Sequence, residues 1–220
     1  MATKNSKVLT TIAIIFLFVL YWGNQSGCVS RKVRNAIEYH RGLYNELHGN
    51  ETEAFQHYMR AAQNGDADAQ FEVGKCYDFG RGVIQDTKQA RNYYYLAAQQ
   101  GHAKAQEKLG GMFMGIGNPG EAMKWFRYAA QQGDAEAQYH LAAFYLNIHE
   151  GGAEFNPAEA VSWLRRSAEQ GYPRSQFLLG VCYKLGNGVA KNKSEAVKWL
   201  RRAKENGVSM AQDELNQMGY

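Results

Sequence analysis

The chain has little that would staple or break a fold. Three cysteines in 220 residues are too few for a disulfide framework. Cys76 and Cys182 each precede a tyrosine, Tyr77 and Tyr183, at one recurring place where Met112, Phe144 and Met218 stand elsewhere. That place reads as apolar core, with both thiols free and buried. The three prolines fall outside every expected helix interior. No segment alternates polar and apolar residues, so no strand is expected. Neither charge dominates: 25 basic residues face 21 acidic ones, and Lys4 and Lys7 account for half of that excess. A body so near neutrality lacks the clustered basic face of a nucleic-acid binder, and no nucleic-acid partner is expected.

Motifs that carry chemistry are scarce as well. None of the six histidines forms a zinc-peptidase pair around a glutamate, and no cysteine pair has metal spacing. The string Gly115-Ile-Gly117-Asn-Pro-Gly120 matches the dinucleotide fingerprint, but it follows a helical pattern instead of a strand and reads as an inter-helix turn. The expectation is a protein that is not an enzyme, with no cofactor, no metal and no small-molecule substrate.

One long apolar run exists. Residues 8–22 are apolar except for two threonines, with Lys4 and Lys7 ahead and Gly23-Asn24-Gln25-Ser26-Gly27-Cys28 behind. Fifteen residues suit a signal peptide and fall short of the roughly 20 of a comfortable membrane span. Residues 1–30 therefore read as a signal peptide or a membrane anchor. Tyr21 and Trp22 suit the interfacial belt of a retained anchor, Ser26-Gly27 suits cleavage, and Cys28 is similar to a bacterial lipoprotein acylation site, with Gln25 where an apolar residue usually stands. The expected address is the inner membrane facing the periplasm, or the periplasm itself. Arg31, Lys32 and Arg34 beyond the run leave a cytoplasmic-facing membrane protein as the alternative.

What the chain does have is repetition. A small residue and a glutamine follow a glycine by four and five positions at Gly65 (Ala69-Gln70), Gly101 (Ala105-Gln106), Gly133 (Ala137-Gln138), Gly171 (Ser175-Gln176) and Gly207 (Ala211-Gln212). The intervals are 36, 32, 38 and 36 residues, a period that marks a solenoid of supersecondary units. In the clearest unit, Ala69, Val73, Cys76 and Tyr77 line one stripe of a first helix. Gly74 shares that stripe and recurs as Gly110 and Gly180, which points to close helix–helix approach, because an interior glycine costs about 1 kcal/mol. Gly80 and Gly82 make a turn, and Asp86 suits an N-cap. Ala90, Tyr94, Ala97 and Ala98 line a second helix that stops at Gly101, a C′ residue. Upstream, Ala54, Tyr58, Ala61 and Ala62 repeat the second helix behind a degenerate first helix around residues 31–44. Residues 210–220 form a lone capping helix, as an open array requires.

The strings Ala-x-Ala-Gln-x-x-Leu-Gly-x-x-Tyr, Gly-x-Gly-Val-x-x-Asp and Trp/Tyr before Ala-Ala-x-x-Gly resemble the Sel1-like repeat family, relatives of the tetratricopeptide repeats, across residues 31–220. The resemblance implies an all-α fold, a right-handed α-solenoid of about five antiparallel helix pairs. The expected units are about 31–65, 66–101, 102–133, 134–171 and 172–207, with a cap at 208–220. It also implies a non-catalytic scaffold that binds a protein or peptide on its concave face. Small exported relatives suggest a sharper form, a periplasmic immunity protein against a secreted toxin. A cell-envelope hydrolase is the rival class, without a catalytic constellation to support it.

Tetratricopeptide relatives place ligand contacts on the first helix. By register, the partner-binding candidates are Phe71, Lys75, Phe79, Glu107, Tyr139, Phe177 and Lys184. At 100° per residue these positions fall opposite the buried stripe. Phe71, Tyr139 and Phe177 share one slot, and exposed rings at regular spacing signal a binding surface, with packing against a neighbouring helix as the alternative.

Overall fold

Each repeat folds as a helix pair because its apolar residues recur at helical spacing while its polar ones gather at helix ends. The computed structural model describes residues 30–148 and 155–220; Cys28 and the rest of the expected leader before Ser30 lie outside them. Among the described residues there are eleven α-helices and no strand. The chain divides into two compact units, Met1–His102 and Ala103–Tyr220. The first holds α1 (Arg31–Leu47), α2 (Glu51–Gln63), α3 (Ala67–Phe79) and α4 (Thr87–Gln99). The second holds α5 (Ala103–Gly115), α6 (Pro119–Gln131), α7 (Ala135–Tyr145), α8 (Pro157–Glu169), α9 (Pro173–Leu185), α10 (Lys193–Glu205) and the lone α11 (Met210–Gln217). Within each unit, every helix packs on the next in sequence, so the fold is the all-α solenoid of helix pairs that the periodicity announced. No helix among the described residues is long and apolar enough to cross a membrane.

Short polar side chains start the helices. Asp66 and Asp134 accept hydrogen bonds from the backbone N–H of Ala69 and Ala137, both at 2.9 Å. Asp86 accepts from Lys88 and Gln89 at 2.9 and 3.0 Å, as its position suggested. Asn118, Asn156 and Asn192 cap α6, α8 and α10; each such cap contributes ~1 kcal/mol. The three prolines stand at helix starts, where their missing N–H costs nothing. Gly101 ends α4 at φ +89°, with Gly101 N–H donating to Ala98 and His102 N–H to Ala97, the paired bonds of a Schellman motif.

The recurring glutamine is a clip. Gln70, Gln138 and Gln176 are buried, and each donates through Nε2 to the carbonyl of an alanine near the end of the preceding helix, Ala62, Ala130 and Ala168, all at 3.2 Å. Each then accepts from the residue that caps the following helix: Gln100, Gln170 and Asn206, at 2.7, 2.9 and 2.9 Å. Gln106 accepts from Gln132 in the same way, at 2.7 Å. One buried amide thus ties three consecutive helices within a unit. Each of these alanine carbonyls also accepts from the N–H of Gly65, Gly133 or Gly171, so losing the glutamine would remove the second bond to that carbonyl and the acceptor of the following cap residue.

Glycine inside the first helix sets the distance to its mate. A Cβ on Gly74 would lie 2.6 Å from the Tyr94 ring, one on Gly110 2.6 Å from Phe126, and one on Gly180 2.8 Å from Leu200 Cγ. The expected close approach is present at all three. The first repeat is less degenerate than expected: α1 runs to Leu47, and Gly42 meets the Tyr58 ring in the same way. Tyr58 then donates to Glu46 Oε2 at 2.7 Å. Cys76 and Cys182 are buried and free, and burial pushes their thiols up to about 12 and about 11.

Candidate interaction surface

In the first unit, Phe71 projects from α3 but does not stand free. It stacks on the His102 ring at 4.5 Å and tilts against Tyr94 at 5.7 Å, and is only partly exposed. His102 closes the repeat just past its Schellman turn. Burial lowers its pKa, partly offset by Asp68, whose carboxylate is 3.5 Å away, so the stack holds a neutral imidazole near pH 7. Lys75 Nζ sits 5.5 Å from the Phe71 ring and 2.6 Å from Glu72 Oε2. Phe79, at the end of α3, is 59% exposed, with the Arg81 guanidinium 5.3 Å over its ring.

In the second unit, the remaining candidates are drawn further into the stack. Tyr139 on α7 is half-buried and packs on the Tyr172 ring at 5.5 Å, edge-on to His140 at 5.1 Å. Phe177 on α9 lies against a cluster of Val197, Leu200, Ala203, Ala211 and Leu215. Lys184 Nζ reaches α11, donating to Glu214 Oε2 at 2.7 Å and to Gln217 Oε1 at 2.8 Å. These two therefore hold the capping helix.

Glu107 corrects the expectation of a surface contact, being only 4% exposed. It stands in the slot that carries a ring at Phe71, Tyr139 and Phe177. Burial raises its pKa above the ordinary carboxylate range, chiefly opposed by Lys108. Lys108 Nζ approaches Glu107 Oε2 at 3.3 Å as an ion pair.

Helical geometry misleads here because a repeat has two neighbours. Positions opposite the stripe that faces the mate helix can still face the residue after the next repeat glycine, as Phe71 faces His102 and Tyr139 faces Tyr172. Large apolar side chains stay exposed at the far ends of the first helices and in the turns, besides Tyr95, Leu96 and Tyr128 on second helices. Leu185, in the same slot as Phe79, is 57% exposed, Ile84 is 88% exposed and Ile116 is 60% exposed. Ile84 and Ile116 were missed by reasoning from helix faces. Their signal is an apolar residue in a turn that the helix period leaves unassigned. Such isolated apolar side chains can anchor in a pocket of another protein.

The Sel1 repeat model matches five successive segments, residues 36–66, 67–102, 103–134, 135–172 and 173–208. A Sel1 repeat protein from Oxalobacter formigenes is 31% identical, with a TM-score of 0.74 over 84% of this chain and 55% of that one. A protective antigen with this fold, present in uropathogenic Escherichia coli strains, is 29% identical, with a TM-score of 0.55 over 86% of this chain and 49% of that one. Among curated proteins, HRD3A, an ERAD-associated E3 ubiquitin-protein ligase component of Arabidopsis thaliana, is 32% identical over 83 residues, 37% of this chain and 12% of that protein. The chain thus spans about half the length of those solved structures and about an eighth of that curated relative. Sel1 repeats are a non-catalytic protein-interaction fold, and Sel1 repeat proteins generally act as interaction scaffolds. With five matched repeats covering residues 36–208, the chain belongs to the Sel1 repeat family.

Proposed function

We propose that this chain is an interaction scaffold held in, or exported across, a bacterial inner membrane, with its repeats on the periplasmic side. It binds a protein or peptide partner through the outer ends of its first helices. The observation that carries this reading is the pair Phe79 and Leu185, which share one slot on α3 and α9 and are 59% and 57% exposed. Stacking of the repeats does not use them, and large exposed apolar side chains at equivalent positions suit partner anchors. The membrane part of the reading rests on residues 8–22 and on Lys4 and Lys7 before them. Neutralising a secreted toxin is the sharper form of the same reading.

A photo-crosslinking residue placed at Phe79 or at Leu185 in the full chain, expressed in its own cells, should yield one shared protein adduct. The same residue at Lys124, exposed on the second helix α6, should not. Adducts of equal yield from all three positions, or from none, would remove this surface. The identity of the captured protein tests the immunity form. A reporter active only in an oxidising compartment, fused after Tyr220, should be active; activity of a cytoplasmic reporter alone would reverse the address.

A further inference from the structure

The last helix pair gathers the positive charge of the whole chain. Residues 191–207 hold Lys191, Lys193, Lys198, Arg201, Arg202 and Lys204 against Glu195 and Glu205, an excess of four equal to the net charge of all 220 residues. Some of these charges are accounted for: Lys198 pairs with Glu195 at 3.1 Å, and Arg202 lies over Trp199 at 4.9 Å. Lys193, Arg201 and Lys204 have no ion-pair partner among the described residues. Lys193 Nζ and the Arg201 guanidinium instead share one ring, 5.0 and 5.6 Å from the centre of Tyr220. A cavity lined by Lys193, Ser194, Val197, Lys198, Arg201 and Tyr220 opens beside them, and a second is lined by Arg201 and Lys204 together with Glu205, Gln212, Leu215 and Tyr220.

The repeat register shows that this face departs from the pattern. The slot of Lys204 is a buried alanine in the four preceding repeats, Ala62, Ala98, Ala130 and Ala168, none more than 4% exposed. Those alanines let the next first helix close down. Against the short α11, the slot on α10 holds an exposed lysine. Solvation alone could be met by either sign of charge, yet Lys193 and Arg201 converge on a partly apolar floor of Val197 and Tyr220, and Lys204 joins Arg201 in lining the second cavity. Two cations over one ring repel each other, and a carboxylate between them relieves that repulsion while the low-dielectric floor strengthens its attraction.

We propose that this face, between α10 and Tyr220, is a docking site for an acidic segment of a protein partner, its carboxylates seated between Lys193, Arg201 and Lys204. The proposal rests on the reading of the chain as a protein-interaction scaffold. An acidic peptide fits better than a nucleic acid, because the positive charge complements carboxylates on a chain whose repeats belong to a protein-interaction fold.

Binding of a fluorescent polyglutamate peptide to the full chain, followed by anisotropy, tests the site. Lys193→Gln combined with Arg201→Gln is expected to weaken binding roughly tenfold. Lys32→Gln combined with Arg34→Gln removes the same charge from α1 and should change it by no more than about twofold. All four residues are exposed, so melting should be unaltered in both variants. Equal weakening by the two pairs would show bulk charge instead of a site and overturn the proposal, as would failure of the peptide to bind. Tighter, patch-dependent binding of phosphatidylglycerol vesicles or of single-stranded DNA would also overturn it by assigning the face to another class of partner. Loss of cross-linking at Phe79 and Leu185 with polyglutamate binding intact would count against the scaffold surface proposed above, and not against this site.

Discussion

The repeats built on α3–α4 and on α5–α6 use the same skeleton with different chemistry in one slot. In both, an interior glycine meets a second-helix ring, Gly74 with Tyr94 and Gly110 with Phe126, and a buried glutamine accepts from the residue that ends the pair. Six residues past the repeat glycine they part: the first places Phe71 on His102, while the second buries Glu107 beside Lys108. Contacts inside a helix pair tolerate little because backbone separation depends on them. Positions on the other flank need only be filled, so a ring and a carboxylate stem can serve in turn.

The largest effects should come from the shared skeleton. Gly74→Leu and Gly110→Leu each drive a side chain into a buried ring and should cost about 3 kcal/mol in urea unfolding, with both repeats responding alike. Tolerance of one but not the other would show that the two pairs are not built the same way. Gln138→Ala removes the donor to Ala130 and the acceptor for Gln170. A loss of about 1–3 kcal/mol is expected, and unaltered stability would deny the clip its role.

Smaller effects sharpen the contrast. Gly111 follows Gly110 in α5, but a Cβ there would meet nothing within 4 Å. Gly111→Ala should therefore stabilise by about 0.4–1 kcal/mol through backbone entropy, opposite in sign to Gly110→Leu. The smallest shift belongs to the divergent slot. The pKa of Glu107 is raised by burial, so the fold favours its protonated form. That contribution is fully present below the ordinary carboxylate pKa and is lost as pH rises through the folded value. Glu107→Gln should raise the melting temperature slightly near pH 7, and the difference should vanish on acidification. A loss of stability at pH 7 would mean that the Lys108 pair outweighs the burial.

Much of this architecture was legible because it is local and repeated. Gly65, Gly101, Gly133, Gly171 and Gly207 announced left-handed helix ends, and their φ values lie between +88° and +95°. Asp86 as a cap and Gly180 as a close approach were readable for the same reason, since each answers to neighbours one turn or one helix away. The first helix of the opening repeat was underread, because Gly42 shares the slot without the flanking alanine and glutamine. The candidate site was less legible. Phe79 is as open as its register implied, but Phe177 and Lys184 are engaged by α11, and Glu107 is buried.

The sequence by itself determined the helix pairs, their caps and their spacing, because helical period, capping chemistry and glycine conformation act within a few residues. Only the tertiary structure decided which outward residues are free. That depends on the helix that follows in the stack, and a helix wheel contains no second helix. It also decided which of the clustered charges meet on one surface, since Tyr220 reaches Lys193 and Arg201 only once α11 has folded back on α10.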